Sequence, residues 1–404
     1  MPAELGMKPS NLLAKLTSAK LKHGFANLVV VVVAIVLGFL IVETAGHVLG
    51  LGTSRIGTSS GDAQFFQDRT LFITGNSFIT DEKGAVKFMP NQQVRYVTVW
   101  GKEINFDKQF STNNLGFVQK QNVEDYQKKY IAFVGDSFTE GHGEIPWFYN
   151  FETNLSQRVA SQEKGLLNLG VSGTGFPNFQ RAVFSIGKAN IKIDKVAIIF
   201  ISDNLLRPYF TYQKTGLGYL ICYDDAKLNR NICLDMPTWW LMNDIQEQPA
   251  TITEKAQAIQ TINRFYIFKD DQEPLTFLEW LMSKSIVIRA VSRWNSSRNM
   301  TMGLAKPIPI PDATYQAMDN MVQQIGKENI LLIHIPQKEE TAVGKYYDYS
   351  KEFTKTLEGI AYFDGLKLCG LKMSDYHKLD PHPNKDGYQK IEACIRGIVE
   401  KHLL

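Results

Sequence analysis

A series of short apolar runs, each followed by a turn and a helical pattern, most constrains the fold of this chain. The runs occupy residues 130–134, 166–170, 195–201, 330–335 and 360–363. Continuous apolar runs of this length are typical of strands buried on both faces, as in a parallel sheet. Helical patterns lie at about residues 147–163, 176–190, 312–327 and 386–402. The alternation predicts an α/β fold, a three-layer α/β/α sandwich with helices on both faces of a parallel sheet.

The N-terminal part of the chain carries a long apolar stretch. Residues 24–42 contain no charged side chain, and a helix of that length crosses roughly 30 Å of hydrocarbon. Lysines precede the stretch, whereas the next cationic residue after it is Arg55. The positive-inside rule therefore predicts a cytoplasmic tail at 1–23, a transmembrane anchor at 24–46 and an external remainder. A cleaved signal peptide is the alternative, although Thr44-Ala45-Gly46 matches a cleavage site poorly.

The charge balance and the cysteines indicate which kinds of partner and which compartment suit this chain. The chain has 44 Lys and Arg against 41 Asp and Glu, a net charge of +3, and it has no basic run. This balance argues against a nucleic-acid partner. The four cysteines fit an oxidising compartment, and the pairs Cys222–Cys233 and Cys369–Cys394 are favoured because each closes a short loop. Four free buried thiols are the alternative. Together with the anchor, these features predict a single-pass protein of a bacterial inner membrane with a periplasmic domain.

After the predicted anchor, the chain divides into a short lead-in and a larger domain that contains an insertion. Residues 51–118 are interpreted as a linker followed by a small β lead-in, because short stretches alternate apolar and polar residues among turn residues. Residues 119–404 form the predicted α/β domain. Within it, residues 207–300 break the strand–helix rhythm and are interpreted as a mixed insertion. Its tryptophans either line a cleft or form the core of the insertion; they are Trp239, Trp240, Trp280 and Trp294.

Polar residues directly after the first predicted strand are the first candidates for chemistry. The run 130–134 leads into Gly135-Asp136-Ser137. In doubly wound sheets the ligand site lies at the carboxyl ends of the strands. A serine at this strand-to-helix turn has its hydroxyl in the crevice, where helix N–H groups favour developing negative charge. Gly135 allows a tight turn without a Cβ. The alternative interpretation is that Asp136 or Ser137 only caps the helix.

Later strand ends supply further candidate groups. The second strand ends at a glycine-rich turn with Gly170 and Gly173, whose backbone N–H groups can approach a ligand. The third ends at Ser202-Asp203-Asn204, which offers a side-chain amide. After the last predicted strand comes Asp380-Pro381-His382, leading into the final helix.

A serine nucleophile needs a base that titrates near neutral pH, and histidine is the usual choice. His382 is favoured among the seven histidines, because it has a nearby carboxylate and is flanked by two prolines that restrict the backbone. His377, close to Asp375, is the rival, and His334 in an apolar run is interpreted as a core histidine. No clustered Cys and His spacing indicates zinc. A site built from Asp136 and His142 is a minor alternative, and no metal or cofactor is predicted.

Together these blocks resemble the SGNH (GDSL-type) hydrolase superfamily. Gly135-Asp136-Ser137, with Gly141 downstream, is similar to its first block, which carries the nucleophile. Asn168, Gly170 and Gly173 are similar to the second block, Ser202-Asp203-Asn204-Leu205 falls where the third is expected, and Asp380-Pro381-His382 is similar to the last. Asn114-Leu-Gly-Phe117 resembles the lead-in of membrane-anchored members.

The resemblance implies roles for particular residues. Ser137, His382 and Asp380 would form a catalytic triad, and an oxyanion hole would come from the N–H groups of Ser137 and Gly173 and the amide of Asn204. Two departures stand out. The third block has Asp203 before Asn204 where the family usually has Asn-Asp, so an anion at the asparagine position would oppose catalysis. The aspartate and histidine of the last block are one residue closer than usual, a spacing that alginate-acetylation members share.

The function implied by the resemblance is serine-dependent ester hydrolysis or acyl transfer on an acylated cell-envelope polysaccharide or lipid. Because one fold carries several functions, a second hypothesis is a catalytically silent domain that binds a polysaccharide or an envelope-assembly partner. An acetyltransferase role would also imply a multi-spanning membrane partner that donates the acyl group.

Overall fold

The computed structural model describes most of the chain from residue 69 onward. The described residues are part of 30–45, then 69–74, 77–124, 128–214, 219–225, 230–235, 239–242, 248–266 and 308–404. The chain forms two compact units: the larger comprises Ile56–Asp271 and Thr301–Leu404, and the smaller Met1–Arg55 and Gln272–Met300. All elements named below belong to the larger unit.

About half of the predicted anchor lies outside the described residues. Its described positions between residues 30 and 45 are helical. Among the residues that the structure describes, no helix has both the length and the apolar character needed to span a membrane.

In chain order, the described strands are β1 (Arg69–Thr74), β2 (Phe78–Thr80), β3 (Val86–Phe88), β4 (Gln93–Trp100), β5 (Glu103–Ser111), β6 (Lys129–Gly135), β7 (Lys164–Gly170), β8 (Lys192–Phe200), β9 (Phe210–Lys214), β10 (Tyr219–Asp225), β11 (Arg230–Asp235), β12 (Trp239–Met242), β13 (Ile330–His334) and β14 (Ala361–Asp364). The described helices are α1 (Ser137–Glu140), α2 (Phe148–Ala160), α3 (Phe176–Lys188), α4 (Pro249–Tyr266), α5 (Asp312–Ile325), α6 (Lys338–Val343), α7 (Asp348–Thr356), α8 (Gly365–Leu368) and α9 (Lys385–His402).

A five-stranded parallel sheet forms the centre of the larger unit, in the order β14-β13-β8-β6-β7. Its strands coincide with the five predicted apolar runs, and α2, α3, α5 and α9 coincide with the predicted helical patterns to within a few residues. The prediction of an α/β fold with a parallel sheet flanked by helices is confirmed.

Helices cover both faces of this sheet. Successive residues of a strand point to opposite faces, so neighbouring side chains pack against different helices. On β6, Ile131 and Phe133 pack in a core shared with α2 and α9. Ala132 and Val134, one position along, pack in a second core shared with α3 and α5. All four side chains are fully buried. The double burial explains why the strands contain no polar alternation.

The β lead-in and the insertion are joined in one sheet. Its order is β12-β1-β4-β5, so a strand of the insertion pairs with a strand of the lead-in. The β1–β12 pair is parallel, with Leu71 opposite Trp239. Helix α4 covers one face of this sheet, where Ile252 packs against Phe72 and Val97. The boundary drawn at residue 118 in the sequence therefore does not separate two independent sheets.

The remaining insertion strands form an antiparallel sheet in the order β11-β10-β9. Its side chains Phe210 and Tyr212 are buried in the same core as α3. For Trp239 and Trp240 the structure describes the backbone, in β12, while Trp280 and Trp294 lie outside the described residues. Whether the tryptophans line a cleft thus stays a prediction.

Cysteine positions agree with the predicted pairing. Cys369 and Cys394 form a disulfide, as predicted. Cys222 is disulfide-bonded, and the register of β10 and β11 places Cys233 directly opposite it. The Cys369–Cys394 bridge joins the end of α8 to α9 and so encloses the chain segment that carries Asp380 and His382.

We expect the double variant Cys369→Ala, Cys394→Ala to lose stability. The bridge closes a loop with a sequence separation of 25, and a loop of that size contributes about 3 kcal/mol to the free energy of unfolding. Urea unfolding of the oxidised wild type and the variant measures the difference. An unchanged unfolding midpoint would contradict a stabilising role for this bridge.

Candidate active site

The turn after β6 places a serine at the carboxyl edge of the sheet. A Cβ at Gly135 would overlap the side chain of Thr139 and the carbonyl of Ile199, so the close packing of α1 over the strand end requires glycine. Asp136 caps α1, and its Oδ1 accepts a hydrogen bond from the Phe138 N–H at 3.0 Å. Ser137 is the first residue of α1. The predicted cap is thus Asp136, which leaves the Ser137 hydroxyl available for another partner.

The loop that carries Asp380 and His382 reaches the same edge by a longer route than the sequence indicated. The block does not directly follow β14, because α8 and a 3₁₀ turn at Met373–Asp375 intervene. The loop is closed by a bridge between Tyr376 and Pro383. Asn384 then caps α9, its side chain accepting hydrogen bonds from the first turn of that helix.

Ser137, His382 and Asp380 form a continuous hydrogen-bonded relay. Ser137 Oγ lies 2.8 Å from His382 Nε2, and His382 Nδ1 contacts Asp380 Oδ1. A carboxylate only accepts, so the proton of a neutral His382 lies on Nδ1. Its Nε2 is then unprotonated and accepts from the Ser137 hydroxyl. This is the tautomer that a general base for serine needs.

The carboxylate of Asp380 is fully buried and stays ionised because of its neighbours. Burial by itself would raise the pKa of Asp380, but His382 and the Arg69 guanidinium hold that pKa well below its usual range. The Arg69 Nη2 atom lies 3.4 Å from Asp380 Oδ2. The site therefore contains a permanent anion behind the imidazole.

Two backbone N–H groups near the serine have no hydrogen-bond partner among the described residues. They belong to Ser137 and Gly173, whereas the neighbouring N–H groups of Phe138, Ser172 and Thr174 are all bonded. Gly173 is exposed and has φ of +81°, a backbone conformation that favours glycine. These two donors are the ones predicted for an oxyanion hole.

The third predicted donor, Asn204, points inward and is already bonded. Its Nδ2 donates to Asp136 Oδ2 at 2.8 Å and to the Thr174 carbonyl at 3.0 Å. A side-chain amide has two hydrogens, so both are used. Asp203 instead lies towards α6, where its N–H bonds the Gln337 side chain. Asp203, whose carboxylate would oppose catalysis if it took the asparagine position, is therefore not the neighbour of Asp136.

Arg207 bridges the same two acceptors as Asn204. Its Nη1 lies 2.8 Å from Asp136 Oδ2 and 3.1 Å from the Thr174 carbonyl. The two side chains thus tie the residue before Ser137 to the residue after Gly173. The relative position of the two backbone donors follows from this clamp.

A buried polar cluster lies behind the imidazole. The ring of His142 lies 4.5 Å from that of His382, centroid to centroid, and its Nδ1 is 3.2 Å from Ser172 Oγ. Burial first, and then the nearby charges of His382 and Arg69, lower the pKa of His142 well below its usual range. Burial raises the pKa of Glu140 to about 8. Both shifts favour the neutral form of the group.

The other histidine candidates have partners other than Ser137. His377 Nε2 lies 3.6 Å from Glu144, and Ser137 contacts His382 instead. His334 is a buried core histidine, as predicted, with its Nε2 3.1 Å from Ser202 Oγ. Ser202 is fully buried, so this second Ser–His pair is closed to a substrate.

Sequence reasoning missed Arg69, Arg207 and Glu140. Arg207 follows the third strand by a few residues, and its proximity to Asn204 was a usable signal. Arg69 lies far from Asp380 in the sequence, and no local pattern indicates the contact. In the described part of the chain, no group of three or more His, Cys, Asp or Glu side chains is arranged to hold a metal ion.

No family model matches the chain, and no curated protein matches it.

We expect Asn204→Asp to destabilise the protein and Asp203→Asn to be tolerated. The new carboxylate would face Asp136 Oδ2, now 2.8 Å from Asn204 Nδ2, in a fully buried position. An uncompensated buried charge costs about 3 kcal/mol. Asp203 is partly exposed, and its substitution should change the free energy of unfolding by less than about 0.5 kcal/mol. Urea unfolding of both variants provides the comparison; equal losses would contradict the inward placement of Asn204.

Glu140→Gln should change how stability depends on pH. The pKa of Glu140 rises from 4.5 to about 8 on folding, so the folded state binds an extra proton and loses stability as pH rises through this window. The Gln oxygen can still accept from the Ser172 N–H, now bonded to Glu140 Oε2 at 2.6 Å.

At pH 8 we therefore expect Glu140→Gln to be more stable than the wild type by roughly 1–3 kcal/mol, with a smaller gain at pH 5. Denaturant unfolding at both pH values measures this difference. The exposed Glu352→Gln is the control and should follow the wild type. A pH-independent effect of Glu140→Gln would argue against a buried neutral carboxyl.

Proposed function

We propose that this protein is a serine ester hydrolase or acyltransferase of the SGNH type. The observation that carries the proposal is the relay in which Ser137 Oγ lies 2.8 Å from His382 Nε2 while Nδ1 of the same ring contacts Asp380. An unprotonated imidazole nitrogen at this distance can take the hydroxyl proton during attack. The relay lies at the carboxyl edge of the parallel sheet, where α/β proteins bind their ligands.

In the first half-reaction, Ser137 Oγ attacks the carbonyl carbon of an ester. His382 Nε2 takes the hydroxyl proton, and Asp380 stabilises the imidazolium that results. The tetrahedral intermediate then collapses, the bond to the alcohol oxygen breaks, and His382 returns the proton to the departing alcohol. The product is an ester between the acyl group and Ser137.

The negative charge of the tetrahedral oxygen needs preorganised donors. The N–H groups of Ser137 and Gly173, which have no partner among the described residues, would donate to it. One donor of this kind contributes about 3 kcal/mol to transition-state stabilisation. Asn204 acts chiefly as part of the clamp on Asp136, since both of its amide hydrogens are bonded.

In the second half-reaction, water or a second alcohol attacks the acyl-serine. His382 removes the attacking proton, the acyl carbon–Oγ bond breaks, and Ser137 recovers its hydroxyl proton from the imidazolium. Water gives a free acid, and a sugar hydroxyl gives a transferred ester. The same residues perform either outcome.

The substrate class that we propose is an acylated polysaccharide or lipid of the cell envelope. The predicted anchor and positive-inside pattern favour a periplasmic location, and the Cys369–Cys394 disulfide suits an oxidising compartment. If the reaction is transfer, a multi-spanning membrane partner would supply the acyl group to Ser137.

Turnover and active-site labelling test the proposal. The full chain, purified in detergent without reductant, would be assayed with p-nitrophenyl acetate and butyrate and labelled with a fluorophosphonate. We expect turnover and labelling in the wild type, and a loss of at least about a thousandfold in kcat/KM for Ser137→Ala and His382→Ala.

Ser202→Ala is the matched control, because Ser202 also contacts a histidine but is fully buried. Peptide mapping should place the label on Ser137 in both the wild type and this control. A folded wild type that neither turns over esters nor takes the label would contradict the proposal. The same crevice would then be examined as a glycan- or partner-binding site.

A further inference from the structure

The sheet β12-β1-β4-β5, called the lead-in sheet below, has β1 as its first strand in the chain. This strand begins beside the relay of Ser137, His382 and Asp380. Arg69, the first residue of β1, lies with Nη2 3.4 Å from Asp380 Oδ2. Its side chain is 14% exposed and that of Asp380 is fully buried. A residue from the lead-in sheet thus reaches the acid of the proposed triad.

We propose that Arg69 is a positioning residue for catalysis, which fixes the Asp380 carboxylate and supplies a positive charge next to the Asp380–His382 pair. The inference rests on the proposed esterase or acyltransferase function and adds a requirement to it. The lead-in sheet becomes part of the catalytic unit rather than a spacer between membrane and enzyme.

The two oxygens of Asp380 have separate partners. Oδ1 accepts from His382 twice, from the ring Nδ1 and from the backbone N–H at 3.0 Å. Oδ2 faces Arg69. Because the two oxygens are engaged from different directions, rotation of the carboxylate would break one set of contacts. Arg69 therefore restrains the orientation of the group that orients the imidazole.

Arg69 also contacts His142, whose ring lies next to that of His382. Its Nη2 lies 3.5 Å from His142 Nε2. A guanidinium only donates, so this contact requires an unprotonated Nε2 on His142, in agreement with the lowered pKa of that histidine. The His142 ring is held by Tyr96 of β4 and Phe106 of β5, at 5.1 Å from each ring centroid. Three strands of the lead-in sheet therefore support one side of the relay.

Other ionisable groups also face Asp380 and His382. The groups that interact electrostatically with Asp380 or His382 are His377 of the same loop, His142, Lys338 of α6 and Tyr388 of α9. Asp136, Glu140 and Glu144 interact with Tyr388, and Lys108 of β5 interacts with His377. Lys338 Nζ donates to the His377 carbonyl at 2.6 Å, and Lys108 pairs with Glu144 at 2.9 Å. Among the described Lys and Arg side chains, Arg69 is the one that the structure shows in an ion pair with Asp380.

Removal of this cation has a defined electrostatic consequence. A positive charge near an imidazole disfavours its protonated form. A protonated imidazole cannot accept the Ser137 proton, so loss of the Arg69 charge should reduce activity at acidic pH. The acidic limb of kcat/KM should then move to higher pH, an effect that a merely structural role would not produce.

The experiment compares Arg69→Met, Arg69→Lys and Arg95→Met in the full chain. Arg95 of β4 forms a two-point ion pair with Asp107 at 2.7 and 2.6 Å, so its loss removes a comparable pair from the same sheet. For Arg69→Met we expect the acidic limb of p-nitrophenyl acetate hydrolysis to rise by roughly half to one pH unit. The plateau should fall about tenfold through misorientation of the relay.

Arg69→Lys should keep the limb near its wild-type position, because it retains the charge. Arg95→Met should lower stability and leave the limb unchanged. A lower plateau with an unshifted limb in Arg69→Met would overturn the proposal and leave Arg69 a structural residue.

An NMR titration of the His382 ring keeps the test independent of turnover. The signal would be assigned by its absence in His382→Ala. In Arg69→Met the ring should take up its proton at higher pH than in the wild type, and in Arg95→Met it should not. Absence of ester turnover in the wild type would contradict the proposed function, whereas an unmoved ring titration in Arg69→Met would contradict the role of Arg69.

Discussion

The buried carboxylate of Asp136 is the constraint on which the site depends. A buried anion requires several donors, and here they come from three parts of the chain. The Phe138 N–H bonds one oxygen, and Asn204 and Arg207 bond the other. The turn after β6, the end of β8 and the residues after β8 must therefore meet at one point. Satisfying this one group sets the position of Ser137 relative to the glycine-rich turn.

Features that are determined by a few neighbouring residues could be predicted from the sequence. The central strands are apolar throughout because both faces are covered, and the turn at Gly135 needs glycine because α1 packs directly over it. The choice of His382 over His377 also followed from local chemistry, a carboxylate and two prolines beside it. These features are properties of a few neighbouring residues, and the sequence carries them directly.

Contacts between distant segments could not be predicted in the same way. The pairing of β1 with β12 joins strands more than a hundred residues apart, and nothing in either strand specifies the other. The approach of Arg69 to Asp380 depends on that sheet and on the loop that the Cys369–Cys394 bridge encloses. The order of Asp203 and Asn204 left two placements open, and the donors that Asp136 needs favour the one with Asn204 inside.

The lead-in and the insertion share one sheet, and this sharing limits how the chain can change during evolution. Insertions in α/β domains usually vary in length without affecting the rest, because they attach at a loop. Here the insertion returns a strand to the lead-in, beside the strand that begins at Arg69. Loss of either segment would expose an edge of the sheet that supports the relay. The two additions are therefore expected to be inherited as a pair.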